Sequence, residues 1–145
     1  MSTVREILRT KGNTIWSVNT KSTVYDTIKL MSEKNIGAVL VLDGQKITGI
    51  FSERDFIRHS VKKTTRLEET PITEMMTSRI LFISPSQTTD ECMSLMTTKR
   101  IRHLPVIEEE KLVGLISIGD VVNKIIEDHK FSINQLERYV TGEMA

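Results

Sequence analysis

The 145-residue chain contains one cysteine, three prolines and one tryptophan, and aromatic residues make up only 5% of it. With Cys92 as the sole cysteine, an intrachain disulfide is excluded, and the thiol suits a reducing compartment. Charge of one sign is also missing: 20 Lys and Arg against 19 Asp and Glu leave a formal net charge of +1. No whole-molecule field therefore favours nucleic acid or an anionic membrane. Apolar runs stay well short of membrane-spanning length. The first ten residues, MSTVREILRT, interleave Arg5, Glu6 and Arg9 with apolar residues, unlike a signal peptide. A cytoplasmic protein with no membrane or nucleic-acid partner is expected. His59, His103 and His129 lack metal-ligand spacing, no nucleophile–base pair can be assembled, and no P-loop or Rossmann glycine motif occurs. Neither a metal site nor an enzyme is expected. Lys62, Lys63 and Arg66 read as solvated linker, and Cys92 as a core residue.

What is present is an ordinary globular composition, 39% hydrophobic and 27% charged, long enough for one compact domain. It is also repeated. A shift of 65 residues aligns 15–57 with 80–122 without a gap, and eleven of the 43 paired positions are identical. About three identities would arise from average residue usage. Among them are Leu30/Leu95, Met31/Met96, Val41/Val106, Gly49/Gly114, Ser52/Ser117 and Asp55/Asp120. Upstream, VREIL (4–8) resembles ITEMM (72–76) after a three-residue slip at Lys11–Asn13.

Each copy carries the same local signals in the same order. Short apolar stretches at 15–18 and 80–83 suit strands, and Thr23-Val-Tyr-Asp26 and Thr88-Thr-Asp-Glu91 have the capping-box spacing of a helix start. Helical periodicity follows, through Val24, Ile28 and Met31 and through Cys92, Leu95 and Met96. Next, Ala38–Leu42 runs through Asp43-Gly44 into Ile47–Phe51, a strong hairpin signal. The second copy uses His103–Ile107, Glu108–Lys111 and Leu112–Ile116; its turn lacks glycine, so a looser or longer hairpin is expected. Helices are expected over 52–61 and from 117 onward, giving a β-α-β-β-α unit used twice. The polar stretch 62–69 connects the copies. Beyond Val122, Ile126 and His129, the run Ser132–Gln135 is expected to restart a helix with Ile133, Leu136 and Val140, its apolar stripe packing on the domain or on a second subunit.

On these residues the chain resembles a pair of cystathionine-β-synthase (CBS) domains, a Bateman module. The resemblance rests on the 65-residue repeat, the β-α-β-β-α order, the corners Gly49-Ile-Phe-Ser52-Glu-Arg-Asp55 and Gly114-Leu-Ile-Ser117-Ile-Gly-Asp120, and the segment Arg102-His-Leu-Pro105. It covers about residues 4–128, and the whole is similar to small bacterial stand-alone CBS-pair proteins. The fold implied is α/β (α+β in some schemes): two repeats, 1–66 and 67–128, related by pseudo-twofold symmetry, plus a helical extension over 129–145. The resemblance further implies clefts between the repeats that bind AMP, ADP, ATP, S-adenosylmethionine or NAD. It also implies a homodimer.

The corner motif suits such a ligand. Glycine before the helix lets a ligand approach the backbone closely. Serine at a helix N-terminus sits beside unpaired N–H groups that favour phosphate. Aspartate one turn later offers acceptors for ribose hydroxyls. By resemblance, Asp55 and Asp120 hold ribose, and Ser52 and Ser117 face ribose or phosphate. Arg54 suits a phosphate partner in the first site, whereas the second has Gly119 there, leaving Arg102 or His103 to supply charge. Adenine would lie along Gly37 and Ala38 in one copy and Arg102, His103, Leu104 and Pro105 in the other, with Thr20 and Lys21 nearby. The expected ligand is AMP or a related adenosine phosphate, with NAD(H) as an option in one cleft, making the chain a non-catalytic energy or redox sensor with an unidentified protein partner. The same Ser-x-x-Asp spacing also fits plain helix caps, which leaves a structural or protein-interaction module as the alternative.

Overall fold

The computed structural model describes residues 1–62 and 66–142. Lys63, which belongs to the expected linker run, lies outside them. The chain divides into two compact units, one formed by 14–80 and the other by 1–13 with the chain from Leu81 onward.

In the 14–80 unit, β1 (Ser17–Asn19) runs parallel to β2 (Ala38–Asp43), which pairs antiparallel with β3 (Lys46–Ser52). Between β1 and β2 lies α2 (Val24–Lys34), opened by Thr23, whose hydroxyl accepts from Asp26 N–H. After β3 comes α3 (Glu53–Ser60). The central strand β2 is apolar at consecutive positions because both of its faces are covered: Val39, Leu40 and Val41 are all fully buried. Val24, Met31, Val39, Val41 and Phe51 form the core with Ile72 and Met75, which lie in a turn of 3₁₀ helix (Ile72–Glu74) and just after it.

The other unit repeats this plan 65 residues later. β4 (His103–Glu108) pairs with β5 (Lys111–Ser117), α4 (Thr89–Lys99) precedes them, and α5 (Ile118–Thr141) follows. The parallel partner is reduced to one bridge, Ile83 to Val106, the counterpart of Val18 to Val41. Both hairpins break register at the same step, Val41/Leu42 and Val106/Ile107. The helix α1 (Val4–Lys11) belongs to this unit and supplies Val4, Ile7 and Leu8 to its core, beside Cys92, Met96, Leu104, Val106, Ile116 and Val121. The sequence repeats and the compact units thus trade their leading segments: 4–11 covers the second hairpin, and 72–77 covers the first.

Two expectations are corrected. The second hairpin is neither looser nor longer: Glu108 pairs with Lys111, so the loop is Glu109-Glu110, the same length as Gly44-Gln45. Its two glutamates adopt left-handed φ values of 50° and 65°. Two-residue hairpin turns favour this conformation, and side chains tolerate it at a cost of roughly 1–2 kcal/mol per residue. Replacing Glu109-Glu110 by Asn-Gly is therefore expected to stabilise the chain by about 1 kcal/mol in urea unfolding, with unchanged m-value.

Nor does the helix restart at Ser132. α5 runs unbroken for 24 residues, about 36 Å at 1.5 Å per residue, and Ser132 Oγ donates back to Asp128 O at 3.1 Å. Every side chain from His129 to Thr141 is exposed, so the stripe does not pack on its own unit. Among the described residues no helix is long and apolar enough to cross a membrane.

Cys92 is fully buried, and burial, helped by the neighbouring Glu91, pushes its thiol up to about 11. Held as the neutral thiol, it is a packing residue.

Candidate functional site

Each Ser-x-x-Asp corner forms where a hairpin strand turns into a helix. In the first, Ser52 is the N-cap of α3: Asp55 N–H donates to Ser52 Oγ at 3.3 Å, and Ser52 N–H donates to Asp55 Oδ2 at 2.9 Å. In the second, Asp120 N–H donates to Ser117 Oγ at 3.1 Å, and Ser117 N–H to Asp120 Oδ2 at 2.8 Å. Both are complete capping boxes. The strand entry is tied to the same place, because Glu53 N–H donates to Gly37 O and Ile118 N–H to Arg102 O. The ladder also pairs Ala38 with Ser52 and His103 with Ser117. Thus Gly37, Ala38, Ser52 and Asp55 converge in one unit, and Arg102, His103, Ser117 and Asp120 in the other. Arg54 is exposed on the first turn of α3.

Other expected residues lie elsewhere. Thr20 N–H donates to Leu42 O, which puts Thr20 and Lys21 near the far end of β2 from Ala38. Four strand residues span about 13 Å, so these two do not reach the corner of their own unit. Leu104 is fully buried in the core and Pro105 is buried, so packing occupies the Leu104 side chain. The glycines, too, have a different task. A Cβ on Gly49 would collide with the Met76 sulfur, and one on Gly114 would sit 2.6 Å from Leu8 Cδ2. Side chains of the same unit fill the space expected for ligand approach.

The two acids differ in what else holds them. Thr77 Oγ1 donates to Asp55 Oδ1 at 2.9 Å, while Thr77 and Ile50 exchange both backbone bonds. At the equivalent place in the second corner stands a lysine. Lys11 Nζ donates to Asp120 Oδ2 at 2.6 Å and to Leu115 O at 2.7 Å, and Leu115 is the counterpart of Ile50. Sequence reasoning missed both Thr77 and Lys11. The one available signal was the three-residue slip in the repeat at Lys11–Asn13.

The consequences are chemical. A carboxylate has about four lone-pair positions. Asp55 accepts from Ser52 N–H, Ser52 Oγ and Thr77 Oγ1, and it is 6% exposed. Little capacity remains there. Asp120 keeps 23% of its side chain open and has a cation against it. Burial raises the Asp120 pKa, but the hydrogen bond from Lys11, the bonds from Ser117 and the Lys11 charge together bring it below the ordinary 3.8. Asp120 is therefore ionised at neutral pH. Lys11 thus supplies positive charge to the second corner, whose helix has Gly119 at the position matching Arg54.

Comparison with known proteins decides the family. The model of the CBS domain matches twice, over residues 4–62 and 72–127. The chain belongs to the CBS-domain family. Its relatives include the CBS domain-containing protein CBSX3, mitochondrial, of Arabidopsis thaliana, 32% identical over 97% of this chain and 73% of that protein. A protein with CBS domains from Burkholderia ambifaria MC40-6, whose structure is solved, is 50% identical, with a TM-score of 0.84 over 88% of this chain and 96% of the other. The CBS domain pair of protein MJ0100, solved with 5′-methylthioadenosine and S-adenosyl-L-methionine, shares the fold at 18% identity, with a TM-score of 0.76 over 88% of this chain and 98% of that one. The α/β fold expected from the repeat is thus the fold of CBS pairs.

Proposed function

We propose that this CBS pair is a non-catalytic regulatory module that binds an adenosine-containing nucleotide, AMP or a related adenosine phosphate, at its Ser-x-x-Asp corners. One observation carries the reading: Asp120, ionised and partly open, stands beside both a helix-capping hydroxyl and the Lys11 ammonium. A ribose diol needs the first, and a phosphate needs the last. The second corner is then the principal site. An incoming phosphate competes with Asp120 for Lys11, and the freed carboxylate turns to the ribose hydroxyls. The first corner, with Thr77 on its acid, takes a nucleotide more weakly; NAD(H) is the longer option, its second phosphate within reach of exposed charges such as Arg54. That the MJ0100 pair was solved with two adenosine compounds supports the ligand class. The module acts as an energy or redox sensor in a reducing, cytoplasmic setting, as a homodimer read by a protein partner whose affinity differs between the free and occupied states.

The complete capping boxes favour a second reading, in which both corners only start helices and the chain is a structural or interaction module. Thermal stabilisation separates the two. At a hundredfold excess over its dissociation constant, a ligand that binds only the folded chain stabilises it by about 2.7 kcal/mol. A rise in melting temperature with AMP, ADP, ATP or NADH supports the nucleotide module; no rise with any of them leaves the cap-only module.

A further inference from the structure

The C-terminal half of α5 presents an uncovered apolar stripe among the described residues. Ile118, Val121 and Ile125 pack on the core of their unit, but Val122, Ile126, Ile133, Leu136 and Val140 are 37%, 46%, 55%, 65% and 82% exposed. Their spacing is regular. Val122, Ile126, His129, Ile133, Leu136 and Val140 advance by four, three, four, three and four residues, an unbroken heptad pattern. Position a is then Ile126, Ile133 and Val140, and position d is Val122, His129 and Leu136.

We infer that this stripe pairs antiparallel with the same stripe of a second copy of the chain. Charge decides both occupant and orientation. Lys130 and Glu137 are both e positions, seven residues apart on one flank of the stripe. An antiparallel partner brings e against e, so a two-fold axis near residues 133–134 sets each Lys130 beside Glu137 of the second copy, twice over. A parallel partner leaves both charges opposite uncharged g positions, Ile125, Ser132 and Tyr139, and stacks His129 on its own copy. A membrane surface fits less well, since a stripe flanked by one lysine and one glutamate lacks the basic rim that holds a helix on anionic lipid. The pairing is independent of nucleotide binding.

The test is sedimentation velocity of the full chain over a concentration series in nucleotide-free buffer. Self-association is expected. The pair Ile133→Asp and Leu136→Asp, both exposed and so checked as folded by circular dichroism, should weaken it by at least about tenfold. Lys130→Glu should weaken it, and adding Glu137→Lys should restore it. For orientation, Ile133→Cys lies near the axis and should form a disulfide-linked dimer under mild oxidation. Val140→Cys should not, because antiparallel pairing separates the two copies of that position by about 18 Å. The buried Cys92 does not compete. Self-association unchanged by the two aspartates overturns the inference, as does a chain that stays monomeric and co-sediments with anionic vesicles. Equal cross-linking at 140 and 133 overturns the antiparallel arrangement.

Discussion

Asp120→Asn is expected to lower AMP affinity by about tenfold to a hundredfold, the loss of one hydrogen bond to a charged acceptor at about 1.5–3 kcal/mol. Asparagine keeps an oxygen for the Ser117 N–H, so the helix start survives and the loss reads as binding rather than unfolding. Asp55→Asn should cost less, because Thr77 and Ser52 already engage most of that carboxylate. Lys11→Met should reduce AMP binding about tenfold while leaving adenosine nearly unchanged, since only the phosphate meets the lost charge. Titration calorimetry of the parent and three variants checks all four statements. Equal affinities throughout would place the ligand elsewhere.

The same pair makes stability depend on pH. The folded pKa of Asp120 lies below its ordinary 3.8, so the folded chain binds this proton less tightly than the unfolded one. The contribution is fully present above about pH 5 and is lost as pH falls through the folded value. Because the two side chains are partly exposed, 36% for Lys11 and 23% for Asp120, solvent screening keeps the effect near or below about 1 kcal/mol. Asp120→Asn should flatten the acid limb of an unfolding-versus-pH curve by that amount.

Gly114→Val should destabilise the chain more than any surface change, by about 3 kcal/mol, the upper range for overpacking. A Cβ there already falls 2.6 Å from Leu8 Cδ2 and 3.1 Å from Cδ1, and valine adds two methyl groups. Leu8 has no free space to retreat into: it is 8% exposed on a helix whose Val4 and Ile7 are 0% and 4% exposed. The only relief is to move α1, and α1 carries Lys11. The variant should therefore lose the Lys11–Asp120 contact along with stability. Urea unfolding measures the first effect, and disappearance of the Asp120 acid limb reports the second. Leu8→Ala in the Gly114→Val background should recover part of the loss, a coupling that independent sites would not show.

Chain order explains which of these features were legible. Ser52 with Asp55 and Ser117 with Asp120 are three residues apart, so local spacing exposed both helix starts and both acids. The 65-residue offset likewise carried the strand pairing, down to Val18 with Val41 and Ile83 with Val106. The residues that complete the corners come from far along the chain: Thr77 is 22 residues from Asp55, and Lys11 is 109 from Asp120. Each arrives on the leading segment of the other repeat, an exchange that local pattern does not signal. Turn preferences favour glycine, but Glu109-Glu110 close a hairpin of the same length without it, taking left-handed φ themselves. Ser132 looked like a cap because serine serves both ends of that choice; bonding back to Asp128, it stays inside the helix.

Native mass spectrometry of the purified chain titrated with AMP tests the central claim most directly. Two bound nucleotides per chain, filling in two steps with the tighter one weakened in Asp120→Asn, is the predicted result. A spectrum showing no adduct with AMP, ADP, ATP or NADH at millimolar concentration would contradict it and leave the corners as helix caps.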